Sequence, residues 1–167
     1  ANGPETIFSM MDNADAVFPP VIDDDGKELP LTHGSFISLM ENSNRRIRRD
    51  AFMNLYHTLE GHKNTSAAVL AAQVNQLKFF AQARKYPSTI EAALNVTNVP
   101  VSVYKNLINT VHDNMGYMYK YMKLRKKLLG LDELHMYDLY TSMVPDADVK
   151  ITFEEAKKNV MEAVAVL

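Results

Sequence analysis

The stretch Leu128–Lys157, LLGLDELHMYDLYTSMVPDADVKITFEEAK, decides the fold reading because it carries the end of one helix and the start of the next. Gly130 follows a long apolar-periodic run and, lacking a Cβ, takes the left-handed conformation that closes a helix without strain. Thr152-Phe153-Glu154-Glu155 has the pattern of a capping box, in which the threonine hydroxyl and the second glutamate satisfy each other's free backbone donors. Between the two signals lie His135, Tyr137, Asp138 and Tyr140. Met136 to Thr141 reads as a short extended segment, in which Tyr137 and Thr141 share a face while His135, Tyr137 and Asp138 do not.

Upstream of Gly130 the apolar residues Tyr104, Leu107, Ile108, Val111, Met115, Met118 and Met122 recur at three and four, which predicts the longest helix, with Pro100 suited to its first position. The methionines in this stripe read as core packing rather than as a cofactor site. Ser88-Thr89-Ile90-Glu91 predicts another capping box after Pro87. Ile47, Ala51, Phe52, Leu55, Tyr56 and Leu59 mark a helix that Ser43 can cap and Gly61 interrupts, and a second run extends from Val69 to Lys85. Thr32 can cap a short helix through Met40.

Nearer the start, Pro4 to Asp15 reads as the tail of a helix broken at Asn13 and Asp15. Val17-Phe18 and Val21-Ile22 are strand-prone, Asp25-Gly26 reads as a two-residue hairpin turn, and Glu28 to Leu31 returns. Prolines at 19, 20 and 30 confine these to edge strands. A calcium loop aligned on Gly26 would place Val21 first and Thr32 last, where carboxylates are required, so the aspartate run reads as a turn. The fold expected is mainly α, a multi-helical bundle with a small β-hairpin near the N-terminus and one short extended segment before the last helix.

The quoted residues resemble the oligoendopeptidase F family of zinc metallopeptidases, whose members carry an LDELHMYDLY-like segment, a Pro/Asp/Val turn and a K-[IV]-T-[YF]-E-E-A helix start. Three further blocks resemble the same family in the same order: IFSMMDNAD (Ile7–Asp15), LTHGSFISLMENSNRRIRRDAF (Leu31–Phe52) and NVPVSVYKNLINTVH (Asn98–His112). The family's chemistry uses H-E-x-x-H on a helix, two histidines sharing a face to bind zinc while the glutamate polarises water. His33, His57, His62, His112 and His135 are followed by Gly, Thr, Lys, Asp and Met, so none opens that signature. The resemblance therefore implies a segment upstream of the zinc helix, with residues 1–34 ending an N-terminal lobe and 35–167 leading into the peptidase core. It implies zinc and short peptide substrates for the parent enzyme, and no cofactor, metal site or catalytic residue within this chain. Leu167 follows an apolar run with no stop signal, as in a helix that continues. A stand-alone helical module that binds peptide or protein without cleaving it is the other reading.

Composition fits both. The 167 residues are 47% hydrophobic, enough for a core that buries roughly two-thirds of the unfolded surface. A net charge of −2 supplies no general attraction to nucleic acid or anionic membrane. The absence of cysteine excludes a disulfide framework, and with no basic or long apolar leader in ANGPETIF a cytoplasmic location is expected. The sequons at Asn64 and Asn95 then read as chance matches.

For function, His135, Tyr137 and Tyr140 are candidates for the substrate cleft, since an extended segment beside a peptidase sheet would offer backbone groups to a peptide. The alternative is that the tyrosines anchor a strand to the helices. Arg45, Arg46, Arg48 and Arg49 crowd a helix N-terminus, where the macrodipole disfavours cations. They read either as a solvated face paired with Glu41 and Asp50 or as a dock for a carboxylate or phosphate. Lys120, Lys123, Arg125, Lys126 and Lys127 form a second basic cluster without any RNA-binding motif. His57 and His62, five apart on a helix, point about 140° from each other and make poor joint ligands. His112 reads as a core or boundary histidine. Partners expected are the rest of the peptidase core and, through apolar faces a lone lobe exposes, self-association.

Overall fold

In the computed structural model the described residues are 2–144 and 151–165. They are mainly helical: α1 (Gly3–Met10), α2 (His33–Glu41), α3 (Arg45–Gly61), α4 (Lys63–Ala83), α5 (Thr89–Asn95), α6 (Val101–Leu128) and α7 (Phe153–Val164), with a two-stranded antiparallel ladder of β1 (Val21–Ile22) and β2 (Glu28–Leu29). Short-range chemistry sets most of the boundaries. Thr32 caps α2 by accepting from Ser35 N–H, and the Ser35 hydroxyl accepts from Thr32 N–H at 2.9 Å. The Thr152 capping box forms as expected, whereas Ser88 caps α5 through Glu91 N–H but the Glu91 carboxylate accepts from the Ser88 hydroxyl rather than from its backbone N–H. Gly130, at φ +64°, closes α6 with Leu131 N–H donating to Lys126 O, so its left-handed backbone feeds the helix's last carbonyls.

Several boundaries differ from expectation. Of the two expected breaks only Asp15 ends the helix, since α1 continues past Asn13 as a π turn over Met11–Asp15. The hairpin turn is longer than Asp25-Gly26: Gly26, at φ +80°, donates to Asp23 O, and Asp23 N–H donates to Lys27 O. The Asp23 carboxylate holds this loop by accepting from the N–H groups of Asp25 and Lys27 at 3.0 and 2.8 Å, which a two-residue turn would not allow. Val17 and Phe18 join no ladder; Phe18 instead packs on the core and, edge-on, against His33. Asn44 rather than Ser43 caps α3, and Pro100 sits at the cap of α6, one place before its first turn.

The core lies between the hairpin, α2 and α3. Val21, Leu31, Leu39, Ile47, Ala51 and Leu55 form one buried cluster, with Phe18, Leu29, Phe36 and Leu59 packed around it. The stripe of α6 is not core here. Leu107, Val111 and Met118 are 62%, 52% and 48% exposed, and His112 is exposed too, because α6 meets the rest of the described chain mainly near its ends.

The extended reading of Met136–Thr141 is corrected, since Met136–Asp138 is a 3-10 turn closed by Asp138 N–H donating to His135 O at 2.9 Å. The turn forms because the Asp138 carboxylate reaches back to His135 N–H at 3.0 Å, as an acid three residues into a helix does. The Pro145–Lys150 turn lies outside the described residues.

Ala51 is fully buried between α3 and its neighbours, whereas Met53 is 56% exposed. Ala51→Leu is expected to lower stability by about 1–3 kcal/mol through overpacking, and Met53→Ala by less than about 0.5 kcal/mol. Urea midpoints that rank the two variants the other way would contradict this core.

Candidate functional site

Asp138 organises the region where α3, α6 and the 131–144 segment meet. Its carboxylate is wholly buried and accepts from Arg45 Nε and Nη2 at 3.0 and 2.9 Å, from Arg48 Nη2 at 3.0 Å and from His135 N–H at 3.0 Å. Burial by itself would raise this carboxyl, but the hydrogen bonds from Arg45, His135 N–H and Arg48 outweigh it and hold the pKa at about 2. The same pair raises Arg45, chiefly through the bond to Asp138.

Two buried arginines hold the backbone of the segment. Arg48 donates from Nε to Tyr137 O at 3.0 Å and from Nη1 to Asn42 O and Ser43 O at 2.7 and 2.9 Å. Arg125 donates from Nε to Asp138 O at 2.8 Å, from Nη2 to Thr141 O, and from Nη1 to the Tyr121 hydroxyl at 3.2 Å. The 3-10 turn at Met136–Asp138, with the carbonyls of Tyr137, Asp138 and Thr141 held by arginines, replaces the extended strand on which the backbone-pairing expectation rested.

The clamp displays a patch of side chains. The Arg45 guanidinium stands 5.3 Å from the centre of the Tyr137 ring, and the His135 imidazole stacks on that ring at 4.9 Å and 11°. Phe52 meets Tyr137 edge-on at 6.0 Å. His135 Nε2 lies 3.6 Å from the Glu133 carboxylate. Tyr140 is 52% exposed, and neither its hydroxyl nor that of Tyr137 has a hydrogen-bond partner among the described residues.

The structure thus brings Arg45, Arg48, His135 and Tyr137 together, and separates Arg46 and Arg49 from them. Arg46 ties the hairpin to α3, donating to Asp24 and Ile22 O at 2.8 Å each and to Asp50 at 3.2 Å. Its hydrogen bond lowers the Asp24 pKa. Arg49 pairs with Asp50 at 3.0 Å. Arg125 stands out only in the structure, although one signal was present: it continues the Met115, Met118, Met122 stripe at the next helical step. Among the described residues no three His, Asp or Glu side chains converge where a metal could sit, so these residues do not fit zinc.

The sign of the Asp138 shift gives a pH test. With its folded pKa at about 2 against an ordinary 3.8, its stabilisation is complete above about 3.8 and is lost as pH falls through about 2. That amounts to about 2 kcal/mol. Between ~pH 5 and ~pH 2, Asp138→Asn is expected to lose about 2 kcal/mol less stability than the parent chain, measured by urea unfolding. Equal losses would contradict the ionised clamp.

The comparisons with known proteins agree with this architecture. The model of peptidase family M3 matches residues 38–166. The chain is 44% identical over 160 residues to oligopeptidase PepF of Bacillus subtilis, covering 96% of this chain and 24% of that protein. It is 43% identical over 159 residues to the group B oligopeptidase PepB of Streptococcus agalactiae, covering 95% of this chain and 26% of PepB. The crystal structure of oligoendopeptidase-F from Enterococcus faecium superposes with a TM-score of 0.86 at 37% identity, over 98% of this chain and 30% of that one. The chain spans about a quarter of the length of the curated relatives it matches. It belongs to peptidase family M3.

Proposed function

We propose that the chain is a non-catalytic part of a cytoplasmic zinc oligoendopeptidase that hydrolyses short peptides, with residues 1–34 closing its N-terminal lobe and 35–167 leading into its peptidase core. The observation that carries this reading is 44% identity across 96% of the chain to an oligopeptidase about four times as long. The apolar residues left open on α4, α6 and α7, such as Leu77, Leu107 and Val160, support it as faces that the rest of such an enzyme would cover. No helix among the described residues is long and apolar enough to cross a membrane.

Because the described residues do not fit zinc, the roles assigned to them are binding and orientation. On this reading the clamp around Asp138 orients His135, Tyr137 and Tyr140 toward a substrate cleft that the rest of the enzyme completes. Such positioning raises kcat/KM by removing orientational freedom from the bound substrate.

The complete parent protein is expected to cleave an internally quenched short peptide and to lose that activity to a chelator, while the isolated 167-residue chain cleaves nothing and binds no stoichiometric zinc. Tight zinc in the isolated chain with chelator-sensitive turnover would overturn the assignment. In the complete enzyme, Tyr137→Phe and Tyr140→Phe should lower kcat/KM several-fold with a nearly unchanged melting temperature, since neither hydroxyl bonds within the described chain. Depressed melting with normal kcat/KM in both variants would remove them from the cleft.

A further inference from the structure

The clamp holds more positive charge than it neutralises. Arg45, Arg48 and Arg125 converge on the 133–141 segment, where the facing carboxylates are Asp138, buried at the centre, and Glu133, exposed and turned toward His135. Arg48 and Arg125 are buried, and each of their guanidinium nitrogens already donates to a carboxylate, a carbonyl or the Tyr121 hydroxyl. Arg45 differs. Its Nε and Nη2 face inward to Asp138 and Glu133 O, its side chain is 42% exposed, and its Nη1 has no partner among the described residues.

An Nη1 without a partner among the described residues, on a half-exposed guanidinium fixed by two bonds to a buried carboxylate, is a preorganised donor for a second anion. The side chain is already ordered, so little rotamer freedom is lost on binding. The Tyr137 and His135 rings beside it supply an apolar, planar wall rather than further charge. This geometry suits a carboxylate carried on an extended chain better than a phosphate, for which a single free guanidinium nitrogen is a sparse set of donors.

Resting on the peptidase reading above, we propose that Arg45 Nη1 receives a substrate carboxylate, and specifically the C-terminal carboxylate of the short peptide. Every peptide carries that group whatever its sequence. Arg45 is thus a specificity residue that selects for short substrates whose free end reaches the clamp.

The test compares one quenched peptide as its C-terminal acid and its C-terminal amide, on the complete enzyme and on its Arg45→Gln variant, with melting temperatures recorded for both. Wild type is expected to show a KM about tenfold lower for the acid at similar kcat, the size of one charge-assisted hydrogen bond at a half-exposed site. In Arg45→Gln the two peptides should become equal, and Arg45→Lys should fall between. Equal KM values in wild type need no variant to interpret; they would overturn the proposal while leaving the peptidase reading intact. So would an acid preference that persists in folded Arg45→Gln. An amide whose low KM is restored by an added glutamate would move the carboxylate from the terminus to a side chain and refute the terminal assignment. Lower melting in Arg45→Gln with both KM values unchanged would assign Nη1 to a carboxylate elsewhere in the complete protein, against the proposal. If the complete protein cleaves neither peptide, the peptidase reading fails and this inference fails with it.

Discussion

The ionised Asp138 carboxylate, buried between Arg45 and Arg48, is the constraint on which the local architecture rests. A buried charge is tolerated only when paired and hydrogen-bonded, and here four donors meet two oxygens. The pair is also the means by which residues some ninety positions apart in sequence are brought together, since Arg45 and Arg48 open α3 while Asp138 follows α6. Arg125 completes the arrangement by binding the backbone of the same turn from the α6 side. Removing the carboxylate would leave Arg48 buried without its counter-ion, a change that typically costs about 3–5 kcal/mol.

This arrangement also resolves the placement of cations at the start of α3. The macrodipole works against arginine there. Arg45, Arg46 and Arg48 nevertheless sit in the first turn because each reaches a fixed acceptor: Asp138 for two of them, Asp24 and Asp50 for the third. Such bonds favour a rigid relation between helix, hairpin and loop more than they favour net stability, because desolvating the ions offsets much of the Coulomb gain.

Features with causes within three or four residues were legible in the sequence. The caps at Thr32, Ser88 and Thr152, the stop at Gly130 and the positive-φ Gly26 all follow from the residue and its near neighbours. The family was legible as well, in the order of its short blocks. What could not be read locally was long-range. The 3-10 turn at Met136–Asp138 is closed locally on His135 N–H, but its seating depends on Arg45 and Arg48 of α3, and periodicity alone cannot distinguish an arginine buried for such a contact from one on a solvated face. Arg48 follows Ile47 and precedes Ala51 by one turn, and Arg125 follows Met122 by one turn, so both stand on apolar sides of their helices. The α6 stripe failed as a core prediction for a related reason: an amphipathic face states that something covers it, not that the cover lies in the same segment.

Arg48 and Asp138 act as one unit holding the 131–144 segment to the helices. A double-mutant cycle combining Arg48→Met and Asp138→Asn, read by urea unfolding, measures that directly. The double variant is expected to be more stable than the sum of the single losses implies, by about 1.5 kcal/mol or more, because each single change leaves a buried polar partner unsatisfied. Additive losses within about 0.5 kcal/mol would contradict it.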